Sequence, residues 1–509
     1  MKNFLAVKNN QVSNINEIPL LDFSSLHEKI IEKCKKSKIR PICFFGLGKA
    51  SSVRLFVALA DDKNSEILVS SSILNRSTTY PSLTPKVPAF HIFERDFHEE
   101  FGIKFEGHPW LKPVSYRKNR FDSNSKIENY PFFEMTGEEL HEVAVGPIHA
   151  GIIEPGHFRF VCSGETVYHL EIQLGYQHRN LEKLFLDNKK IAPHLAESIA
   201  GDTVIGHTLA YLNAVESLTG TEISRRAQII RIIALELERI AMHLADLSAI
   251  ANDIAYLMGS AVFGTTRTTV INTLLSICGN RFGRGLLRPG GVIFDVDETL
   301  IKKIKTNLAK VSVITDRMAG VMFTCSTVTS RLDKTGTVSK EDAIKIGAVG
   351  ISARASGVNI DSRINHPFGA YAEMKLKNKY NKTGDVSART HIRYVEIGQS
   401  INIINRLLPE LEKDSCSESI FCEIKNNLNP ESFVISIVEG WRGEIVHTML
   451  TDEAGQIIKH KIKDPSFNNW YMLALAMRNN GISDFPLCNK SFNLSYCGND
   501  LCAADLRCR

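Results

Sequence analysis

The stretch from Gly146 to Phe185 reads GPIHAGIIEPGHFRFVCSGETVYHLEIQLGYQHRNLEKLF. Pro147 fixes φ and removes a backbone donor, so an element ends there. A loop closes at Glu154-Pro155-Gly156. FRFVCS and TVYHLEIQL then alternate apolar and polar side chains on either side of Ser163-Gly164-Glu165. That is the pattern of a hairpin with a tight glycine turn. After Gly175-Tyr176 the spacing turns helical, with His178, Arg179 and Glu182 crowded at the switch. Polar groups at the end of a strand and the start of a helix are well placed to face a cleft. The same cluster also fits a capped helix with a solvated first turn, because charged first turns are common.

The 509 residues suffice for two or three domains. A hydrophobic content of 43% and a charged content of 23% are ordinary for a soluble globular chain. The net charge of +5 is too mild to argue for nucleic acid. No apolar run reaches the ~18–20 residues that span a bilayer. The start, MKNFLAVKNNQVSN, lacks the apolar core of a signal peptide. A cytoplasmic protein is expected, free to dock on a membrane complex through partners. The 11 cysteines show no disulfide-framework spacing, so reduced thiols are expected. Cys43, Cys162 and Cys278 sit in apolar surroundings and read as small core residues.

Residues 1–120 read as a small α+β domain: LHEKIIEKCKK is helical, and PICFFGLG, VRLFVALADD and SEILVSSSIL are strands. In HIFERDFHEEFGIKFEGHPWLKPV, Phe93, Phe97 and Phe101 share one helical face, and Glu94, Arg95, Asp96, Glu99 and Glu100 predict a solvated opposite face. Residues 121–140 are polar and turn-rich, a linker. Residues 141–509 form the larger part. From Ile191 to Gly259 the spacing predicts helices: HTLAYLNAVESLTG, ended by Gly220, and a long one from Arg225 to Gly259. His243 on that apolar helix reads as a hydrogen-bonded core histidine. Gly290-Gly291 permits close backbone approach, and no P-loop follows. A second hairpin surrounds Asp452-Glu453-Ala454-Gly455.

The segments GPxH, EPGHFRF and GYQHRNLEKL resemble the opening of the large catalytic subunit of membrane-bound, energy-converting [NiFe]-hydrogenases of the formate-hydrogenlyase and hydrogenase-4 type. That subunit is similar to the 49 kDa, quinone-site subunit of respiratory complex I. FERDFHEEFGIKFEGHPWLKP resembles the signature of the complex I 30 kDa subunit through Glu94, Arg95, Gly102, Ile103, Phe105, Gly107, His108 and Pro109. ASGVNIDSRINHPFGAY, TGDVSARTHIRYVEIGQS, EGWRGE and DPSFNNW are also close to the family. The resemblance implies an α+β chain with two parts. A small α/β-sandwich-like domain leads into a large, mostly helical hydrogenase-large-subunit-like domain with antiparallel hairpins.

A [NiFe] centre takes four thiolates from two CxxC pairs, and soft sulfur suits nickel and iron. Aligned on His207, the first pair falls at Ala200 and Thr203; the second falls near Ser495 and Gly498. Cys497 and Cys502 have the wrong spacing and Cys508 stands alone. No metal is expected on this chain, and nickel least of all. Of the complex I quinone pair, the loop keeps His149, while the tyrosine position corresponds to Gly201. His149, His157, His178, Asp202 and His207 remain as polar catalytic candidates around the vacated site, with Asp202 able to relay protons if desolvated. Arg179, Asp361 and Arg363 are cofactor-binding candidates, although Asp361/Arg363 and Asp385/Arg389 also read as ion pairs that hold loops. The resemblance implies the hydrophilic large subunit of a membrane-anchored oxidoreductase, peripheral on the cytoplasmic side of the inner membrane. It implies a [4Fe-4S] cluster in an iron–sulfur small subunit, antiporter-like membrane subunits, and a quinone or another acceptor, although the quinone-binding pair itself is not carried over. A hydrogenase with an unusual site and a non-catalytic scaffold are the alternatives.

Overall fold

The computed structural model describes residues 3–36, 39–48, 51–117, 120–122, 124–151, 153–188, 190–413, 419–425 and 427–501. Cys502 and Cys508 lie outside them.

The N-terminal sheet runs in the order Leu5–Val7, Glu66–Asn75, Ser52–Asp61, Ile39–Gly48, and Leu20–Leu21 adds in parallel to Glu66–Asn75. Its strands are apolar on both faces because both are covered. Alternation sends Phe44 to a core shared with the helices Phe23–Lys36 and His91–Phe101, and Phe45 to the opposite side. There it meets Phe433, Ile435, Ile437, Val446 and Leu450 of a second sheet. That second sheet has the order Ile457–Lys463, Glu444–Thr451, Ser432–Glu439, Ser13–Asn14. The beginning of the chain therefore completes a sheet whose other strands come from its last quarter.

The opening stretch folds as expected: His157–Ser163 pairs antiparallel with Thr166–Gln173, and Leu140–Val145 adds a third strand. The second predicted hairpin, Glu444–Thr451 with Ile457–Lys463, is present. Behind the sheets, helices Val204–Thr219, Arg225–Asp253, Leu257–Cys278, Glu298–Thr324 and Val386–Lys413 bury a largely aliphatic core. Gly220, in the left-handed region, ends the first of these as predicted.

Two expectations are corrected. The long helix does not run to Gly259. It stops at Asp253, where Ala255 takes φ +58° and the Tyr256 N–H donates to the Ala251 carbonyl at 2.7 Å. This is a Schellman-type stop made without glycine, so no residue announces it. The charged face of His91–Phe101 is not solvated either. Glu94, Asp96 and Glu99 are all buried, because the helix lies between the N-terminal sheet and the later domain. Glu94 accepts from Ser82 Oγ, Thr84 Oγ1 and the Leu83 and Thr84 amides. Asp96 pairs with Arg117 and Lys461, and Glu99 accepts from the amides of Val114, Ser115 and Arg117. A buried carboxylate survives only with such partners. Close approach at Gly290 and Gly291 is as expected: a Cβ at either would stand 2.0 Å from a carbonyl oxygen, of Cys422 or Ile420.

Candidate functional site

The first turn of the helix Val204–Thr219, the second hairpin and the segment 493–501 converge on one buried point. His207 is at 0% exposure there. Its Nε2 lies 3.2 Å from Asp464 Oδ2 and its Nδ1 3.2 Å from His447 Nε2. Asp464 caps the helix Pro465–Met477, its other oxygen accepting from the Ser466 amide at 2.8 Å. Cys497 completes a trio in which the side-chain ligand atoms of His207, Asp464 and Cys497 all lie within 4.8 Å of one another. Beyond His447, its Nδ1 meets His460 Nε2 at 3.1 Å. The strand register opposes His447 to Ile462 and Met449 to His460, so the two histidines are diagonal neighbours on one face. Phe185 and Tyr211 pack against the His460 ring.

Burial sets the protonation of this row. It holds His447 well below the ordinary imidazole range, helped by His460 and His207, and lowers His460 to about 3. Burial pushes the Asp464 carboxyl up, but His207 and Arg442 outweigh it and hold it low. The result is an ionised carboxylate at one end of three imidazoles linked nitrogen to nitrogen, His447 and His460 neutral. In a neutral imidazole one nitrogen donates and the other accepts, so such a row can be ordered end to end.

Asp202 stands beside the trio and is held by Arg442 through two contacts of 2.6 and 2.7 Å. Trp441 donates to the Asp202 carbonyl at 2.9 Å, and the Arg442 guanidinium lies 3.9 Å from the Trp441 ring centroid. Below them Glu238 accepts from the amides of Ile205 and Gly206 at the start of the same helix. Burial pushes its carboxyl up to about 8.

The other predicted residues divide. Arg179 reaches the Ser198 carbonyl at 3.1 Å, while its Nε and Nη2 are buried without a hydrogen-bond partner among the described residues. Its amide donates to the Asp500 carbonyl at 2.7 Å, so it borders the segment that carries Cys497. His178 takes φ +49° beside it, and its buried Nδ1 has no hydrogen-bond partner among the described residues. His149 and His157 bond the carbonyls of Gly156 and Gly146, which ties their own loop. That loop abuts Tyr496 at Gly156, yet neither imidazole joins the trio. Asp361 and Arg363 lie apart. Arg363 grips Asp361 at 3.0 and 2.7 Å and Glu236 at 3.1 Å, in a buried net with Arg354, Glu396, Glu439 and His243. His243 is thus a bonded core histidine, as its sequence setting suggests. The side chains of Asp385 and Arg389 do not pair: the Asp385 carboxylate accepts from the amides of Lys334 and Ala388, and the Arg389 guanidinium reaches Gly384, Gly336 and Ser491.

A four-thiolate centre does not fit. Ala200, Thr203, Ser495 and Gly498 offer no sulfur, and Thr203 Oγ1 is engaged with Trp441 and Arg442. A cavity of ≈ 250 Å³ opens elsewhere, between Trp110, Tyr130, His169, Trp470 and Tyr471, and none of the predicted site residues lines it. Nothing in the sequence alone singles out Asp464, His447, His460, Arg442 or Glu238 for this site. The strings DPSFNNW and EGWRGE hold two of them, and alternation along the second hairpin is the signal for the histidines.

Comparison with known proteins agrees with this architecture. Residues 39–131 match the model of the respiratory-chain NADH dehydrogenase 30 kDa subunit, and residues 253–500 match that of the 49 kDa subunit. Formate hydrogenlyase subunit 5 of Escherichia coli is 27% identical over 451 residues, covering 84% of this chain and 78% of that protein. The D subunit of NADH-quinone oxidoreductase from Carboxydothermus hydrogenoformans is 30% identical over 347 residues, covering 67% of this chain and 93% of that protein. A chain of the membrane-bound sulfane sulfur reductase, an archaeal respiratory membrane complex, superposes with a TM-score of 0.66 at 21% identity, covering 72% of this chain and 100% of that one. The chain belongs to the family of the 49 kDa subunit of respiratory-chain NADH dehydrogenase, fused to a domain of the 30 kDa type, and is part of an oxidoreductase complex of that superfamily.

Proposed function

We propose that this chain is the hydrophilic large subunit through which an iron–sulfur small subunit passes electrons to an acceptor of the quinone type. In this reading it rests on the cytoplasmic face of the inner membrane, on antiporter-like subunits that move ions. No helix among the described residues is long and apolar enough to cross a membrane. Attachment would therefore run through partners.

The observation that carries the reading is the buried row Asp464–His207–His447–His460 beside the Arg442–Asp202 pair. Reducing a quinone takes up protons as well as electrons. Side chains that hold and pass a proton away from bulk water are what such a reaction asks of its protein. Arg442 and Asp202 hold a fixed charge pair beside the row. Within the row a proton would pass between His207 Nδ1 and His447 Nε2, and between His447 Nδ1 and His460 Nε2. The lack of cysteine at the four thiolate positions argues against hydrogen chemistry of the nickel type.

The test is the assembled complex. An iron–sulfur subunit and antiporter-like membrane proteins should co-purify with the chain, and quinone-dependent turnover should fall in His207→Gln and Asp202→Asn. Unchanged turnover in both variants would leave only a scaffold. Nickel in the complex together with hydrogen uptake would replace the proposal by a hydrogenase.

A further inference from the structure

We infer that His207, Asp464 and Cys497 form a site for one zinc-class divalent metal ion, distinct in its donors from a four-thiolate centre. One imidazole nitrogen, one carboxylate oxygen and one sulfur are the ligand types that borderline-soft dications take. They come from three elements held rigidly together: the first turn of a helix, the cap of another, and the segment 493–501. All three residues are at 0% exposure and their ligand atoms lie within 4.8 Å of one another.

The His207–Asp464 distance fits two ligands of one ion as well as a direct hydrogen bond. His207 Nε2 and Asp464 Oδ2 stand at 3.2 Å, both packed on every side. Two ligands on one tetrahedral ion, each bonded at about 2.0–2.1 Å, sit roughly 3.3 Å apart. The supporting contacts favour the ion. His207 Nδ1 is engaged by His447, and the far oxygen of Asp464 by the Ser466 amide, so the near atoms are the ones aimed at the common point. Metal-bound histidines and carboxylates are oriented by such outer contacts.

Charge agrees. Arg442 is neutralised by Asp202, and Arg179 lies beside Asp500. The carboxylate of Asp464 and a thiolate at Cys497 then match a dication. Binding deprotonates the thiol and releases that proton to buffer. Three protein ligands leave a fourth position for an exogenous ligand, as in catalytic zinc sites.

The experiment uses the full chain, purified in the assembled complex and also loaded with cobalt after chelation. About one equivalent of zinc per chain is expected, and cobalt should give a sulfur-to-metal charge-transfer band. Cys497→Ser should abolish that band, and His207→Gln should weaken cobalt binding by at least about 100-fold. Cys488→Ser, a buried thiol elsewhere, should leave the band intact. Wild-type protein that is folded by circular dichroism yet takes up neither zinc nor cobalt overturns the site, as does a band that survives in Cys497→Ser. Should Cys497→Ser fail to fold, the band in wild type and in Cys488→Ser decides. These readouts are spectroscopic and elemental, so a zinc-loaded complex without quinone turnover would support the metal site while removing the electron-transfer reading.

Discussion

Gly350 and Gly443 meet backbone to backbone. A Cβ on Gly350 would stand 2.0 Å from the Arg442 carbonyl oxygen, and one on Gly443 2.7 Å from Gly350 Cα. Both glycines have positive φ, at +63° and +136°. The contact presses the turn that presents Arg442 against the helix Gly350–Ala355. Gly350→Ala is expected to cost about 3 kcal/mol through strain and overpacking together. It should also lower turnover with Arg442 itself intact. Urea denaturation checks the first effect; a loss under about 0.5 kcal/mol would show that the turn can give way.

Glu94 is a buried acceptor for four donors, and burial pushes its carboxyl up even though they favour its charge. Glu94→Ala strands the amide of Leu83 and the hydroxyls of Ser82 and Thr84, and leaves the Thr84 amide only Ser82 Oγ. A loss of roughly 3 kcal/mol is expected from the unsatisfied groups, read as a lower denaturation midpoint. A surface-like loss of a few tenths would mean that water reaches these groups.

Glu238 gives a pH dependence with a definite sign. Its carboxyl is raised from the ordinary 4.5 to about 8, so the folded state binds this proton more tightly than the unfolded chain. Its contribution is complete below pH 4.5 and is lost as pH rises toward 8. Glu238→Gln, which stays neutral, should flatten the fall in stability across that window. A slope unchanged by the substitution would show that another group carries it.

His460 works in the opposite direction. Burial lowers it from 6.5 to about 3, so the unfolded chain takes up a proton that the folded chain refuses. Stability should fall as pH drops below 6.5, with the ring still neutral at about pH 5. Imidazole nitrogen chemical shifts that stay constant between about pH 8 and 5 are the expected result, and a titration near 6.5 would contradict it.

Both hairpins are legible in the sequence because period-two alternation and turn residues are local signals, and Gly220 marks its helix end for the same reason. The burial of Glu94 is not, since a charged helical face looks alike whether water or a second domain covers it. The trio illustrates the same limit. His207 is separated from Asp464 and Cys497 by more than half of the chain, and the three meet only because the sheets bring their elements together. Asp202 stands out through its expected proximity to the vacated thiolates, but nothing local reveals that Arg442 holds it. Asp361 and Arg363 stand out as charged residues in a motif, and the structure ties them into the buried net around Glu236.

The pairing of Ser13–Asn14 with Ser432 and Phe433 has a consequence for biosynthesis. At translation rates of about 5–20 residues per second, the early strand waits on the order of 20–80 s for its neighbour to leave the ribosome. Until then Val7, Phe45 and Phe56 lack the cover that Phe433 and Ile435 later provide. The nascent first module is thus a natural client for a chaperone, and a ribosome stalled in the last quarter of the message leaves its sticky side bare.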